Sequence, residues 1–120
     1  MQIELRTLNN VVIAQLKSDF LEIKNLDDAL DLLGNAAYQG ASHIFISEKN
    51  IVPDFFDLKT GIAGEILQKF STYSMRLSIV GDFSKFTSKS LKDFIYESNK
   101  SRKINFVSSL KEAEERILKG

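Results

Sequence analysis

The chain predicts a single α/β domain spanning residues 1–120, with elements in the order β-β-α-β-α-β-α-β-α and a mixed, mostly parallel five-stranded sheet. Three observations carry that class. Short runs rich in β-branched and aromatic residues alternate with longer segments whose apolar residues recur every three to four positions. The pair Asn9-Asn10 separates the first two short runs and marks a hairpin, because Asn tolerates the positive φ of a tight turn. No repeat, low-complexity stretch or linker interrupts the pattern, and 120 residues suit one domain burying about 65% of its unfolded surface.

Each element has its own signal. Ile3 to Leu8 alternates apolar and polar residues, while Val11-Val12-Ile13-Ala14 is apolar throughout, the pattern of a strand covered on both faces. Leu26, Leu30, Leu33 and Ala37 recur at helical spacing, with Asn25 as cap, Asp27 and Asp28 in the first turn and Gly40 as terminator. His43 to Ser47 predicts the third strand. Glu48 to Leu58 is irregular and holds the one proline, Pro53. A second helix carries Ala63, Ile66, Leu67 and Phe70 on one face, and Arg76 to Val80 gives the fourth strand. Leu91, Phe94 and Ile95 mark a third helix from near Ser88, and Lys103 to Val107 a fifth strand. Ser109 and Glu112 form a capping box in which hydroxyl and carboxylate serve each other's backbone amides, and Leu110, Ala113 and Ile117 form the last helix's stripe. Helices between strands imply right-handed crossovers, with ligand-facing loops beyond the carboxyl ends of the strands.

Composition excludes several function classes. Sixteen basic and 16 acidic residues leave no net charge, against a duplex-binding module that must displace condensed counterions. No nucleic-acid partner is expected. Without cysteine there is no disulfide, thiolate chemistry or Cys-type metal site. No apolar run reaches the roughly 20 residues of a membrane helix, and Met1-Gln2-Ile3-Glu4-Leu5 lacks the character of a signal peptide. A cytoplasmic location and no membrane partner are the expectation. His43 is the single histidine, placed at the strand end opposite the ligand-facing loops, so neither a multi-His metal centre nor a cofactor is expected.

Two loops carry the candidate chemistry. Asp54 to Gly64 runs into the second helix, where free amides and the dipole favour an anion. Gly61 and Gly64 leave backbone uncovered and Lys59 adds a cation; alternatively Asp57 or Thr60 caps the helix and the glycines allow close packing. Phe55 and Phe56, if extended, present one ring inward and one outward as an apolar patch for a protein partner or a second copy. The alternative buries both. The second loop, Gly81 to Ser90, places Asp82 directly after a strand; with Glu48 and Asp19 it could hold a hard cation, or be a capped loop of solvated charges. Lys100, Arg102 and Lys103 form a small basic turn.

The segments Phe55 to Phe70, Leu77 to Asp82 and Ser88 to Asn99 resemble a family of bacterial domains of unknown function, number 4180, a likeness running from about Leu33 onward. The element order is also similar to that of the STAS domain, the anti-sigma-factor antagonist fold. In that family an Asp-Ser-Ser-Gly motif opens the second helix, and its first Ser is phosphorylated by a partner kinase. Phe56-Asp57-Leu58-Lys59-Thr60-Gly61 stands in the corresponding place, with Leu58 or Lys59 at the acceptor and Thr60 as the hydroxyl at the second Ser. The resemblance implies a non-enzymatic protein-interaction or regulatory module working through Phe55, Phe56, Asp57, Lys59, Thr60, Gly61 and Gly64. The alternative expectation is a small enzyme or ligand-binding domain using Asp19, Glu48, Lys59 and Asp82 around one crevice.

Overall fold

Asn9 and Asn10 set the first turn of the chain. Both take positive φ, 50° and 67°, as the mirror-image turn of a two-residue hairpin requires. β1 (Ile3–Leu8) therefore folds back on β2 (Val11–Leu16), with Leu8 opposite Val11 and Ile3 opposite Leu16. The computed structural model describes residues 1–119. After β2 come α1 (Leu26–Tyr38), β3 (His43–Ser47), α2 (Ile62–Thr72), β4 (Arg76–Val80), α3 (Lys89–Ser101), β5 (Ile104–Val107) and α4 (Leu110–Leu118). β2 to β5 pair in parallel, so the hairpin is the antiparallel join in a five-stranded sheet. The element order is the expected one, with β2 running on to Leu16 and β5 starting at Ile104 rather than Lys103.

The helix caps act locally. Asn25 Oδ1 accepts from Asp28 N–H at 2.9 Å, and Ser88 Oγ from Leu91 N–H at 3.3 Å. Ser109 Oγ accepts from Glu112 N–H at 3.1 Å, but the Glu112 carboxylate returns to Ser108, not Ser109, taking its N–H at 3.0 Å and its hydroxyl at 2.9 Å. The expected capping box is thus stretched by one residue.

The strands lie in sequence order, β1-β2-β3-β4-β5. Parallel crossovers are right-handed, and a sheet that always advances in one direction receives its crossover helices on one face. Ala14, Leu16, Ile44, Ile46, Leu77, Ile79 and Phe106 share the main core with α1, α2 and α3. Their neighbours in the strands point the other way. Ile13, Phe45 and Val107 meet Ala113 and Ile117 of α4, the helix that crosses to the second face. Arg6 of β1 hydrogen-bonds and ion-pairs with Glu114 at the rim of this second layer. β2 is covered on both sides, with Ile13 and Ala14 fully buried.

The strand order has a consequence for ligands. In open α/β sheets the binding crevice forms where the order reverses. This sheet never reverses, so the crevice expected at the carboxyl ends has no fork to form in. Among the described residues, no helix is long and apolar enough to cross a membrane.

Ala113 sits fully buried in the cluster with Ile13 and Phe45, which makes it the tightest test of where α4 is seated. Ala113→Leu should cost about 1–3 kcal/mol in urea unfolding through overpacking. Lys111→Leu, on the exposed side of the same helix, should stay within about 0.5 kcal/mol. Equal effects would place α4 elsewhere.

Candidate functional site

The loops at the carboxyl ends of the strands are closed from within, beginning with Asn50. Its side chain is 1% exposed. Asn50 Oδ1 accepts from Ser47 N–H at 3.2 Å, and Asn50 Nδ2 donates to the carbonyls of Ser18 at 3.0 Å and Phe20 at 2.8 Å. The Asn50 carbonyl accepts from Glu22 N–H at 2.9 Å and Ile23 N–H at 2.8 Å. Ile23 then bridges to Ile51 in parallel, and Val52 N–H donates to Ile23 carbonyl at 2.9 Å. One amide thus binds the loop after β2 to the loop after β3. Residue composition alone did not single it out; its sequence signal is the cap spacing from Ser47 to Asn50.

Beyond Val52 the chain makes a 3-10 turn over Pro53–Phe56 and another over Leu58–Thr60. Phe55 is 2% exposed and Phe56 6%. Of the two alternatives, one ring outward or both buried, the structure has the second, for a geometric reason. Successive side chains in an extended strand lie on opposite sides, but in a 3-10 turn they are about 120° apart, so adjacent rings can enter one core. Phe55 meets Phe56 edge-on at 5.0 Å, and Phe56 stacks on Phe86 at 5.0 Å. Phe83 contacts Phe56 at 6.0 Å and Phe106 edge-on at 5.3 Å. The two candidate loops are therefore brought together through aromatic packing beneath the surface.

Their polar residues serve the loops themselves. Asp57 accepts from Lys59 N–H at 3.2 Å. Thr60 Oγ1 donates toward the carbonyls of Asp54 at 2.7 Å and Asp57 at 2.9 Å, and accepts from Ile62 N–H at 3.3 Å. Phosphorylating this hydroxyl would remove the donor to the Asp54 and Asp57 carbonyls and set a dianion against those two oxygens. Gly61 has φ of 78°, which makes glycine the fitting residue at the entry to α2. Gly64, by contrast, faces open space where a Cβ would be accommodated, so it does not permit a close approach to the sheet. Lys59 is exposed, and Glu65 already supplies an acidic side chain to the first turn of α2.

Glu48 and Asp82 are likewise engaged. Glu48, 11% exposed, pairs with Lys85 at 2.6 Å. A Cβ on Gly81 would come within 2.2 Å of Glu48 Cγ, so that glycine is the space through which the carboxylate reaches. Asp82 accepts from Ser84 hydroxyl at 2.5 Å and Ser84 N–H at 3.1 Å. The Ser84 hydroxyl holds the Asp82 carboxyl below its ordinary range. Asp82 is therefore a carboxylate at neutral pH and a poor proton donor. Among the described residues, no three His, Asp or Glu side chains gather around a common point.

Three large apolar side chains face solvent at this end, among the exposed charges of Asp19, Lys49, Asp54, Asp57 and Lys59. Phe20 is 76% exposed, Leu21 40% and Leu110 36%. A shallow notch beside Leu110 is lined by Gln15, Phe45, Ser47 and Val80.

A family model described as "Domain of unknown function (DUF4180)" matches residues 8–117, from the hairpin turn to the last helix. No curated protein and no solved structure matches the chain.

The burial of both rings sets a clear expectation. Phe55→Ala and Phe56→Ala should each cost about 3–5 kcal/mol of folding stability, the range for emptying a buried aromatic site. Thermal or urea unfolding of the two variants checks this. A loss under about 0.5 kcal/mol for either would mean that its ring lies outside the core.

Proposed function

The chain belongs to the DUF4180 family, and we propose that it is a non-enzymatic, STAS-like protein-interaction module whose docking surface is the carboxyl-end rim around Phe20. The STAS part rests on element order: an opening antiparallel pair followed by β/α units wound in one direction. Fold likeness alone assigns no activity.

The observation that carries the proposal is the way Phe20 is held. Its ring is 76% exposed, yet its backbone is fixed on both sides: Ser18 Oγ accepts from its N–H at 3.0 Å, and buried Asn50 takes its carbonyl at 2.8 Å. Single exposed apolar residues are ordinary on any surface. A rigidly presented aromatic with Leu21 beside it is a preformed anchor, since little ordering entropy is lost when a partner closes over it. Phe55 and Phe56 then act as the buried support of the rim rather than as its contact residues. The polar groups of Glu48, Asp57, Thr60 and Asp82 hold the loops in shape, which leaves the enzyme reading without a set of convergent side chains.

Phe20→Ser should leave the unfolding midpoint nearly unchanged, within about 0.5 kcal/mol. A photo-crosslinking residue at position 20, introduced in cells, should join the chain to one defined protein. Placed at Tyr38, on the far end of α1 and 92% exposed, it should not. Sedimentation of the purified chain separates a second copy from a different partner. Identical crosslinking from both positions, or none from position 20, would remove Phe20 as the anchor.

A further inference from the structure

The opposite end of the molecule holds a different kind of opening. Below the start of β3 and β4, beside the second half of α4, lies a cleft of about 160 Å³ lined by His43, Arg76, Ser78, Arg102, Asn105 and Arg116. Three guanidiniums and no carboxylate contribute to its wall. Like charges converge only at a cost unless something neutralises them. Arg116 is partly compensated by Glu112, 3.9 Å from its Nε. Arg76 and Arg102 are exposed and have no ion pair among the described residues.

The wall is also built, not merely crowded. Asn105, 4% exposed, donates from Nδ2 to the carbonyls of Leu77 at 3.2 Å and Arg102 at 3.0 Å. Its Oδ1 accepts from Arg116 at 2.9 Å, and the same guanidinium nitrogen reaches the Asn99 carbonyl at 3.2 Å. One buried amide thus sets the backbone of Arg102 and the side chain of Arg116 together. Arg102 itself ends α3 with φ of 61°, a left-handed position where glycine is the usual occupant. From that position Arg102 lines the cleft. Ser78, 2% exposed, brings a hydroxyl to the floor.

We propose that this cleft binds a phosphate group, held by Arg76, Arg102 and Arg116 with Ser78 at its floor. Guanidinium forks match the oxygens of phosphate bidentately. A dianion answers the two unpaired charges better than a carboxylate does. The volume is below the roughly 300 Å³ of a drug-sized pocket, which fits a phosphate ion or a small monoester.

His43 is the reporter. It is 9% exposed, with Ser42 Oγ 3.0 Å from its Nδ1. Burial, and secondly the Arg76 guanidinium, lower its pKa to about 4, so the ring is neutral at pH 7.5. As the single imidazole in the chain, it gives one resolvable pair of ring proton signals. Titrating the full chain at low salt with inorganic phosphate and with phenyl phosphate should shift those signals saturably. Acetate should bind at least about tenfold more weakly, and Arg76→Gln with Arg102→Gln should weaken phosphate by about tenfold or more. The unfolding midpoint of that double variant should be unchanged. Tighter phenyl phosphate assigns the cleft to monoesters, and tighter inorganic phosphate to the free ion. No saturable shift into the millimolar range, acetate binding as tightly as phosphate, or an unaffected double variant would overturn the proposal.

Discussion

A single buried amide organises the loops at the carboxyl ends of the strands. Asn50 satisfies its whole side chain with backbone groups from two loops, and its carbonyl serves two further amides. Each such hydrogen bond contributes only about 1 kcal/mol net, but leaving a buried polar group unpaired costs about 1–3 kcal/mol. The arrangement is therefore all-or-none. With Asn50 in place, Ile23 and Ile51 extend the parallel ladder of β2 and β3 past their ends and enter the main core. Without it, the loop after β2 has no other fixed partner between Ser18 and Ile23, and Phe20 loses the frame that presents it.

The remaining surface features follow from the way the sheet is wound. Steady advance in one direction puts three helices on one face and leaves the other to α4 alone. One helix is about 10–12 Å across, whereas five strands span about 19 Å. The second face is therefore incompletely covered. At the carboxyl end a shallow notch beside Leu110 reaches Val80 and buried Phe45. At the amino end it is polar and basic, and buried Asn105 is tolerated within the sheet because the Leu77 and Arg102 carbonyls and the Arg116 guanidinium satisfy its amide. The notch beside Leu110 and the basic cleft thus sit at opposite ends of α4.

Much of the fold was legible because its signals are local. The Asn9-Asn10 turn, the caps at Asn25, Ser88 and Ser109, and the period of each strand and helix all act within a few residues. What escaped the sequence acts over distance or breaks the assumed local geometry. Phe55 and Phe56 were weighed as an extended pair, and the 3-10 turn that follows Pro53 changes where their rings point. Asn50 reaches partners 30 and 32 residues away, and only its spacing from Ser47 hints at a structural role. Gly64 looked like a packing glycine but faces open space, while Gly81, which the sequence places only at the start of the second candidate loop, makes room for Glu48. Arg76, Arg102 and Arg116 come from three separate elements, so their convergence depends on the strand order and on which face α4 takes.

The role assigned to Asn50 is the claim on which the account of the working surface turns. Native-state hydrogen exchange on Asn50→Asp tests it most directly, because Asp keeps the shape but replaces the donating amide with an acceptor facing two carbonyls. The account predicts that the Glu22 and Ile23 amides lose protection by at least about tenfold more than the Leu77 and Ile79 amides in β4. Unchanged protection at Glu22 and Ile23, or a uniform loss shared equally with β4, would contradict it.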